Sequence, residues 1–237
     1  MKRIIKVIVS VLICVLFLSP VNVYANTYRL SDTDVSLSLY DGFWYVFTRD
    51  NLKDNQYLDE LNIDYEFMHN VLYDNNAYMD AIMFYDNGDS LEFFVRKKPL
   101  DLDIVNLSNY DHDYVLELAK EVAKKFESDK YSTYSNTYKF AQVEYFDSDL
   151  NVYVCDYITV VNKDNYTFTF QSNKEFDDDM YSEIEFILNT IAFDIDETLQ
   201  EPKTPSLLSS VLSKAAIGAV AGGIAGAIIA VIKKRKK

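Results

Sequence analysis

The sequence predicts an α+β protein in which three helices pack on a mainly antiparallel sheet of about seven strands, followed by one C-terminal transmembrane helix. Segments in which every second residue is apolar indicate strands, and segments in which every third or fourth residue is apolar indicate helices. Asp86-Asn87-Gly88-Asp89 lies between two apolar runs, and Asn-Gly there indicates a tight hairpin because both turn positions favour positive φ. Short hairpins join antiparallel strands, so the sheet is expected to be mainly antiparallel.

Seven segments have strand periodicity and three have helix periodicity. The strands are expected at 33–39, 43–48, 77–85, 91–96, 138–146, 152–161 and 166–171. The helices are expected near 64–73, 111–127 and 176–191. The inner face of the first helix is predicted to consist of Phe67, Met68, Val71 and Leu72. Asp177, Asp178 and Asp179 fill the first turn of the third helix, where the helix dipole favours negative charge.

Two local patterns accompany this order of elements. An aromatic strand containing Trp44 leads into Thr48-Arg49-Asp50, and an apolar strand surrounds 77–81. With these patterns, the segment from Thr33 to about Phe193 resembles the PsbP and Mog1-like proteins, whose fold is an antiparallel sheet sandwiched between helices. Members of that fold are mostly non-enzymatic binding or assembly factors, so the resemblance implies a binding or assembly role. It implies no particular site, because none of the family's partner-binding residues can be matched here.

Both ends of the chain differ from the middle. Residues 1–25 combine a basic start, a short apolar run and Val23-Tyr24-Ala25, which is typical of a secretory signal peptide. An extracytoplasmic α+β domain is then expected at 26–193 and a stalk at 194–214. The 18 apolar residues 215–232 are long enough to cross a bilayer, and the basic tail 233–237 places the C-terminus in the cytoplasm. The sequence therefore predicts a single-pass protein of the cell membrane with its domain outside.

The charge of the predicted exported part is strongly negative. All 37 acidic residues and 14 of the 23 basic ones lie between the two apolar ends, which leaves this part near −23. Such a surface repels nucleic acid and attracts cations or a basic partner. Acidity is also an ordinary route to solubility. The expected partners are membrane lipid around the C-terminal helix and either a second copy of this chain or another membrane protein, with no nucleic acid.

Small residues form rows along the predicted transmembrane helix. Gly218, Gly222 and Gly226 are spaced by four, and Gly223 belongs to an adjacent row with alanines. Residues four apart share one side of a helix, and small residues there let two helices approach closely in lipid. The rows predict association with a second copy of this chain or with another membrane protein. The alternative is a simple anchor.

The candidate chemical groups indicate neither a reaction nor a bound cofactor. Cys155 could act as a nucleophile only with a base such as His69 or His112 nearby, and a packed thiol fits its apolar strand better. Residues 147–151 match the start of a calcium loop, but its glycine and final glutamate are missing, so a hairpin turn is expected. We therefore predict no catalytic, cofactor-binding or metal-binding residues.

The aromatic residues Phe43, Trp44 and Tyr45 are candidates for contact with a partner or a sugar ring. Together with the resemblance, the lack of a catalytic pattern favours a membrane-tethered interaction or assembly module that is not an enzyme. The alternative is an extracytoplasmic hydrolase whose acidic catalytic residues cannot be recognised among so many carboxylates. Residues 201–205 resemble a sortase signal with two altered positions, so covalent attachment to the cell wall is an alternative to the membrane helix.

Overall fold

A computed structural model describes residues 24–100 and 104–200 of the protein. The strands are β1 (Ala25–Arg29), β2 (Val35–Tyr40), β3 (Trp44–Thr48), β4 (Ala77–Phe84), β5 (Ser90–Pro99), β6 (Lys130–Ser135), β7 (Lys139–Asp147), β8 (Val152–Val161), β9 (Asp164–Ser172) and β10 (Ala192–Phe193). The helices are α1 (Gln56–Leu61), α2 (Tyr65–Asp74), α3 (His112–Lys125) and α4 (Asp178–Thr190). The described part confirms the α+β class.

Seven strands form one antiparallel sheet in the order β3-β4-β5-β9-β8-β7-β6. A smaller sheet has the order β1-β2-β10. The expected number of strands in the main sheet is therefore correct, but the strands that form this sheet differ from the expected ones. The segment expected as the first strand is β2 and belongs to the small sheet, whereas β6 fills the edge of the large sheet. Exposed polar residues dominate β6, so it lacks the apolar alternation by which the other strands were predicted.

One face of the large sheet is covered by α4 and the small sheet. Phe93, Phe168 and Phe170 form the centre of this apolar layer, and α4 adds Ile184 and Leu188. Rings on neighbouring strands meet there, with centroids of Phe93 and Phe170 4.7 Å apart. The continuous cluster explains why α4 follows its predicted periodicity closely.

Two separate apolar clusters cover the opposite face. At the β3–β4 end, α2 contributes Met68, Val71 and Leu72. At the β6–β7 end, α3 contributes Leu118 and Val122, among others. Between the two clusters the centre of the sheet has buried polar side chains, which form the acidic cluster described below.

Aspartates directly precede the three longer helices. The side chains of Asp64, Asp111 and Asp177 each accept a hydrogen bond from a backbone N–H in the first turn. Such caps satisfy N–H groups that have no partner within the helix, which sets where each helix starts. The expected acidic start of the last helix is confirmed. The predicted inward position of Phe67 is wrong: this side chain is 36% exposed, because the inner stripe of α2 contains only Met68, Val71 and Leu72.

The hairpin between β4 and β5 is confirmed with a different turn from the one expected. The N–H of Gly88 donates to the carbonyl of Tyr85 at 3.0 Å, and Tyr85 is paired with Asp89. Within this turn only Gly88 has positive φ, at 89°. The loop therefore has three residues instead of two, with glycine in the left-handed position.

Several expectations fall on residues outside the described ranges. They are the signal peptide apart from its last two residues, most of the stalk, the span 215–232 with Gly218, Gly222, Gly223 and Gly226, and the basic tail. Among the described residues, no helix has both the length and the apolarity needed to cross a membrane.

Candidate binding cleft and buried acidic cluster

An open cleft of about 510 Å³ lies at one end of the large sheet. Its walls are the loop after α3, the adjoining ends of β7 and β8, and the segment that leads into α4. The loop is held in place by Ser128, whose hydroxyl donates to the carbonyl of Glu144 and accepts from the N–H of Lys130 at 3.1 Å. Glu127 turns the chain with a φ of 53° directly after the helix. The cleft is therefore formed by anchored backbone.

Carboxylates outnumber cations among the described residues of the cleft. Glu127, Asp129, Glu144 and Glu175 line it beside a single cation, Lys130. Glu127, Asp129 and Glu175 are exposed, whereas Glu144 is half-buried and accepts a hydrogen bond from Gln142 Nε2 at 3.1 Å. The cleft consequently has an excess of negative charge close to its walls.

Three aromatic pairs complete the walls. Phe126 stacks on Tyr145 with ring centroids 4.0 Å apart. Phe146 packs against Tyr153 at 4.9 Å, and Phe176 packs against Tyr181 at 5.8 Å. Phe146 is 48% exposed, so one ring remains open to a ligand. Aromatic faces beside carboxylates are the surroundings that attract a Lys or Arg side chain.

Two tyrosine hydroxyls at the cleft stay protonated well beyond neutral pH. Burial raises the pKa of Tyr181, and the negative charge of Glu144 raises it further. Burial also raises the pKa of Tyr145, and the charge of Asp156 acts in the same direction. Both side chains therefore remain neutral hydrogen-bonding groups.

A smaller hollow of about 240 Å³ adjoins the cleft along β6. It shares Lys130 and Glu144 with the cleft and adds Tyr131, Ser132 and Gln142. Ser132 Oγ donates to Gln142 Oε1 at 2.8 Å across the strand pair. The two depressions follow the same edge of the sheet.

A second acidic region lies inside the protein, between the two apolar clusters. Asp80, Glu92 and Asp156 have at most 1% exposed surface, and Arg96 beside them has 5%. Strand register places Asp80 and Glu92 on one face of neighbouring strands, two positions apart along the ladder. Thr169 Oγ1 donates to Asp156 Oδ1 at 2.5 Å, and the Tyr145 hydroxyl donates to Asp156 Oδ2 at 3.3 Å. Tyr145 thus connects the buried cluster with the cleft.

The buried carboxyls differ in protonation from ordinary surface carboxylates. Burial raises the pKa of Asp80 to about 7, while its contact with Glu92 and the charge of Arg96 act against that rise. Burial raises the pKa of Glu92 well above its usual value, and the neighbouring Asp80 raises it further. Burial therefore favours the protonated form of both side chains, and the negative charge of Asp80 opposes the ionisation of Glu92.

The candidate nucleophile Cys155 is not near either candidate base. Cys155 has no exposed surface and lies on the sheet face covered by α4, where Gln142 Nε2 approaches its sulfur at 3.7 Å. Burial raises the pKa of its thiol well above the usual value. His112 contacts Thr133 Oγ1 at 3.1 Å on the opposite face, and His69 stacks on Tyr73 at 4.3 Å. The expected packed thiol is confirmed.

The loop that resembles a calcium site is a hairpin turn between β7 and β8, as expected. Asp147 Oδ1 accepts the backbone N–H groups of Asp149 at 3.0 Å and Leu150 at 3.1 Å. Asn151 completes the turn in the left-handed region, with a φ of 57°. Among the described residues, no group of three or more His, Cys, Asp or Glu side chains is arranged to hold a metal ion.

The three aromatic residues singled out from the sequence lie in different surroundings. Phe43 is 61% exposed and lies directly before β3. Trp44 is buried and donates from Nε1 to Glu183 Oε1 at 3.0 Å. Tyr45 is half-buried on the other face, edge-on to Tyr57 at 5.2 Å. A contact role for them remains a prediction. None of them belongs to the cleft, whose lining comes from distant segments that share no sequence pattern.

Comparison with known proteins finds no match to a family model, to a curated protein or to a solved structure.

Proposed function

We propose that this protein is a membrane-tethered interaction or assembly module, and that its cleft binds a basic segment of a protein partner outside the cytoplasm. The combination of four carboxylates with three aromatic pairs in one open cleft is the observation that carries this proposal. Carboxylates attract the charge of a Lys or Arg side chain, and aromatic faces accept both its charge and its apolar stem. The anchored loop reduces the entropy lost on binding.

The membrane part of the proposal rests on the sequence. A signal peptide at 1–25 and an apolar span at 215–232 would place the domain outside the membrane. The glycine rows of the span would then allow a second copy or a membrane-protein partner to associate through the same anchor. The charge of the exported part also favours a basic partner, since it speeds the encounter with cations and slows the encounter with anions.

A second candidate function is hydrolysis by acidic residues. The observation in its favour is the close pair Asp80 and Glu92, because a carboxyl with a pKa raised to about 7 can act as a general acid. Both side chains have 0% exposed surface. A substrate could reach them only after the covering elements moved, so we favour the binding module.

The test is the affinity of the full-length protein for a short lysine-rich peptide, measured by fluorescence anisotropy over a range of salt concentrations. Replacing the four cleft carboxylates by amides (E127Q, D129N, E144Q and E175Q) should weaken binding about tenfold or more at low salt and flatten the salt dependence.

A charge-matched control comes from the far end of the sheet, where D54N, D59N, E60Q and E66Q alter four exposed acidic residues around α1 and α2. This control should change affinity far less than the cleft variant. Equal losses in the two variants would mean that only overall charge matters, and the cleft would not be the binding site.

A further inference from the structure

The two outer strands of the large sheet present different edges. Within the described residues these strands are β3 and β6. On β3, the carbonyl of Val46 accepts hydrogen bonds from Asn51 Nδ2 at 3.2 Å and Asn55 Nδ2 at 2.7 Å. The N–H of Thr48 donates to Asn51 Oδ1 at 2.7 Å. Side chains of the following segment therefore bond to two outward backbone groups of β3, the carbonyl of Val46 and the N–H of Thr48.

The outward groups of β6 can be assigned from its hairpin with β7. The N–H of Asn136 donates to the carbonyl of Tyr138 at 3.0 Å, which makes these two residues a hydrogen-bonded pair. Residues of an antiparallel strand alternate between bonding to the neighbour and pointing away from it. The N–H and C=O groups of Tyr131, Thr133 and Ser135 therefore point away from β7. No described residue makes a hydrogen bond to these outward groups.

The composition of β6 offers little protection against pairing. Its sequence Lys-Tyr-Ser-Thr-Tyr-Ser contains residues that favour strands, one charge and no proline. Natural sheets usually protect a free edge with several charges, a proline, a bulge or a covering segment. Side chains bond to the edge of β3, whereas no residue of the described ranges bonds to the outward backbone groups of β6.

The open edge runs into the acidic cleft. Lys130 pairs with Glu144 and Ser132 pairs with Gln142, so these side chains share one face of the β6–β7 ladder. The smaller hollow lies along this face and joins the cleft at Glu144. A strand added beside β6 would lie about 4.8 Å from it and would direct every second side chain to this face. A long basic side chain at such a position can reach toward Glu144.

We propose that β6 binds an extended basic segment of a partner protein as an additional strand, with its Lys or Arg side chains directed to the cleft. This inference rests on the proposed binding of a basic partner and adds the mode of binding. Backbone hydrogen bonds to Tyr131, Thr133 and Ser135 would supply affinity, and the cleft would supply selectivity for positive charge. A second copy of this chain is a poor occupant, because two exported parts near −23 repel each other.

The test compares two substitutions at Thr133 in the full-length protein. T133P removes an outward N–H without removing a bond to β7, and edge strands tolerate proline with that orientation. T133V keeps the N–H and removes the same hydroxyl. Affinity for an alternating lysine–threonine peptide should fall about tenfold in T133P and less than threefold in T133V. The affinity of T133P for a disordered glycine–lysine peptide should fall less than its affinity for the alternating peptide.

The outcomes separate the binding mode from the proposed function. If E144Q lowers the affinity for the peptide and T133P does not, the cleft binds a basic partner but the proposed strand addition at β6 is wrong. If neither substitution has an effect, both proposals are wrong. Dimerisation of the parent protein that T133P abolishes, seen by analytical ultracentrifugation, would assign the edge to a second copy and overturn the inference.

A backbone-modified peptide provides an independent measurement if T133P unfolds the protein. The alternating lysine–threonine peptide can be N-methylated at every second residue, in either of the two phases. Only one of the two methylated peptides should bind the parent protein about tenfold more weakly than the unmethylated peptide. The reason is that only one set of N–H groups faces β6 in an added strand. Equal affinities for the two phases would contradict the added strand.

Discussion

The buried acidic cluster and the open cleft contain the same chemical groups in opposite surroundings. Asp80 and Glu92 have no exposed surface and raised pKa values, whereas Glu127 and Glu175 lie open to water at the cleft. Removing a carboxylate from water penalises its charged form. Acidic residues of the first region are therefore part of the core, and those of the second are available for recognition.

This difference separates stability from binding within one acidic domain. Substitutions in the buried cluster should alter the free energy of unfolding, and substitutions at the cleft should leave it nearly constant. Trp44, the sole tryptophan of the chain, is buried and bonded to Glu183, so its fluorescence reports unfolding.

The largest effect is expected from R96M. Arg96 is the cation beside Asp80, Glu92 and Asp156, and its charge counteracts the rise in the pKa of each carboxyl. Its loss leaves buried negative charge without compensation and should lower the free energy of unfolding by about 3–5 kcal/mol at pH 7. Urea unfolding followed by tryptophan fluorescence measures this change.

The matched control is K130M at the cleft, which removes an exposed cation and should stay within about 0.5 kcal/mol of the parent. The decrease in the free energy of unfolding caused by R96M should be smaller at pH 5, because the buried carboxyls accept protons there. A loss below about 1 kcal/mol at pH 7 would show that the cluster does not need the guanidinium.

A smaller effect, with a distinct pH dependence, is expected from E92Q. The pKa of Asp80 is about 7 in the folded protein against 3.8 ordinarily, so the folded state holds a proton that the unfolded chain has released. Stability of the parent should fall as pH rises through this window. E92Q removes the coupled partner and should be more stable than the parent by roughly 1–3 kcal/mol at pH 8.

Urea unfolding at pH 4, 6 and 8 gives the slope of the free energy of unfolding against pH. The matched control, E127Q at the cleft, should leave the slope of the parent unchanged. An E92Q protein whose stability falls with pH as steeply as that of the parent would mean that the ionisation of Glu92 does not contribute to this slope.

The smallest change in stability is expected from E175Q. Glu175 is exposed, so the free energy of unfolding of the E175Q protein should remain within about 0.5 kcal/mol of that of the parent at every pH from 4 to 8. Affinity for a lysine-rich peptide should nevertheless fall a few-fold, while E60Q on α1 should leave it unchanged. A clear loss of stability in E175Q would remove the distinction between the two regions.

The sequence predicted those parts of the fold that have a regular apolar pattern. The limits of β8 were predicted to the residue, and α2 and α4 begin at aspartates whose side chains cap them. The strands β1 and β6 were missed because most of their side chains are exposed, which removes the contrast between the two faces. β10 has two residues, too few for any periodicity.

The cleft was beyond prediction for a different reason. Its walls come from the loop after α3, from β7 and β8, and from the segment before α4, and the contacts that unite them depend on sheet order. The buried state of Cys155 could be inferred locally, since most residues around it on the strand are large and apolar. The pairing of Asp80 with Glu92 could not, because among 37 acidic residues no spacing distinguishes a pair that meets inside the protein.

The sequence alone determined the α+β class, the mainly antiparallel sheet and the acidic start of the last helix, because these properties depend on residues close together in the chain. The tertiary structure decided which strand lies at each edge, which carboxyls are buried and which face a cleft. Those properties depend on how distant segments pack, and the charge of a carboxyl follows its exposure to water more than its neighbours in sequence.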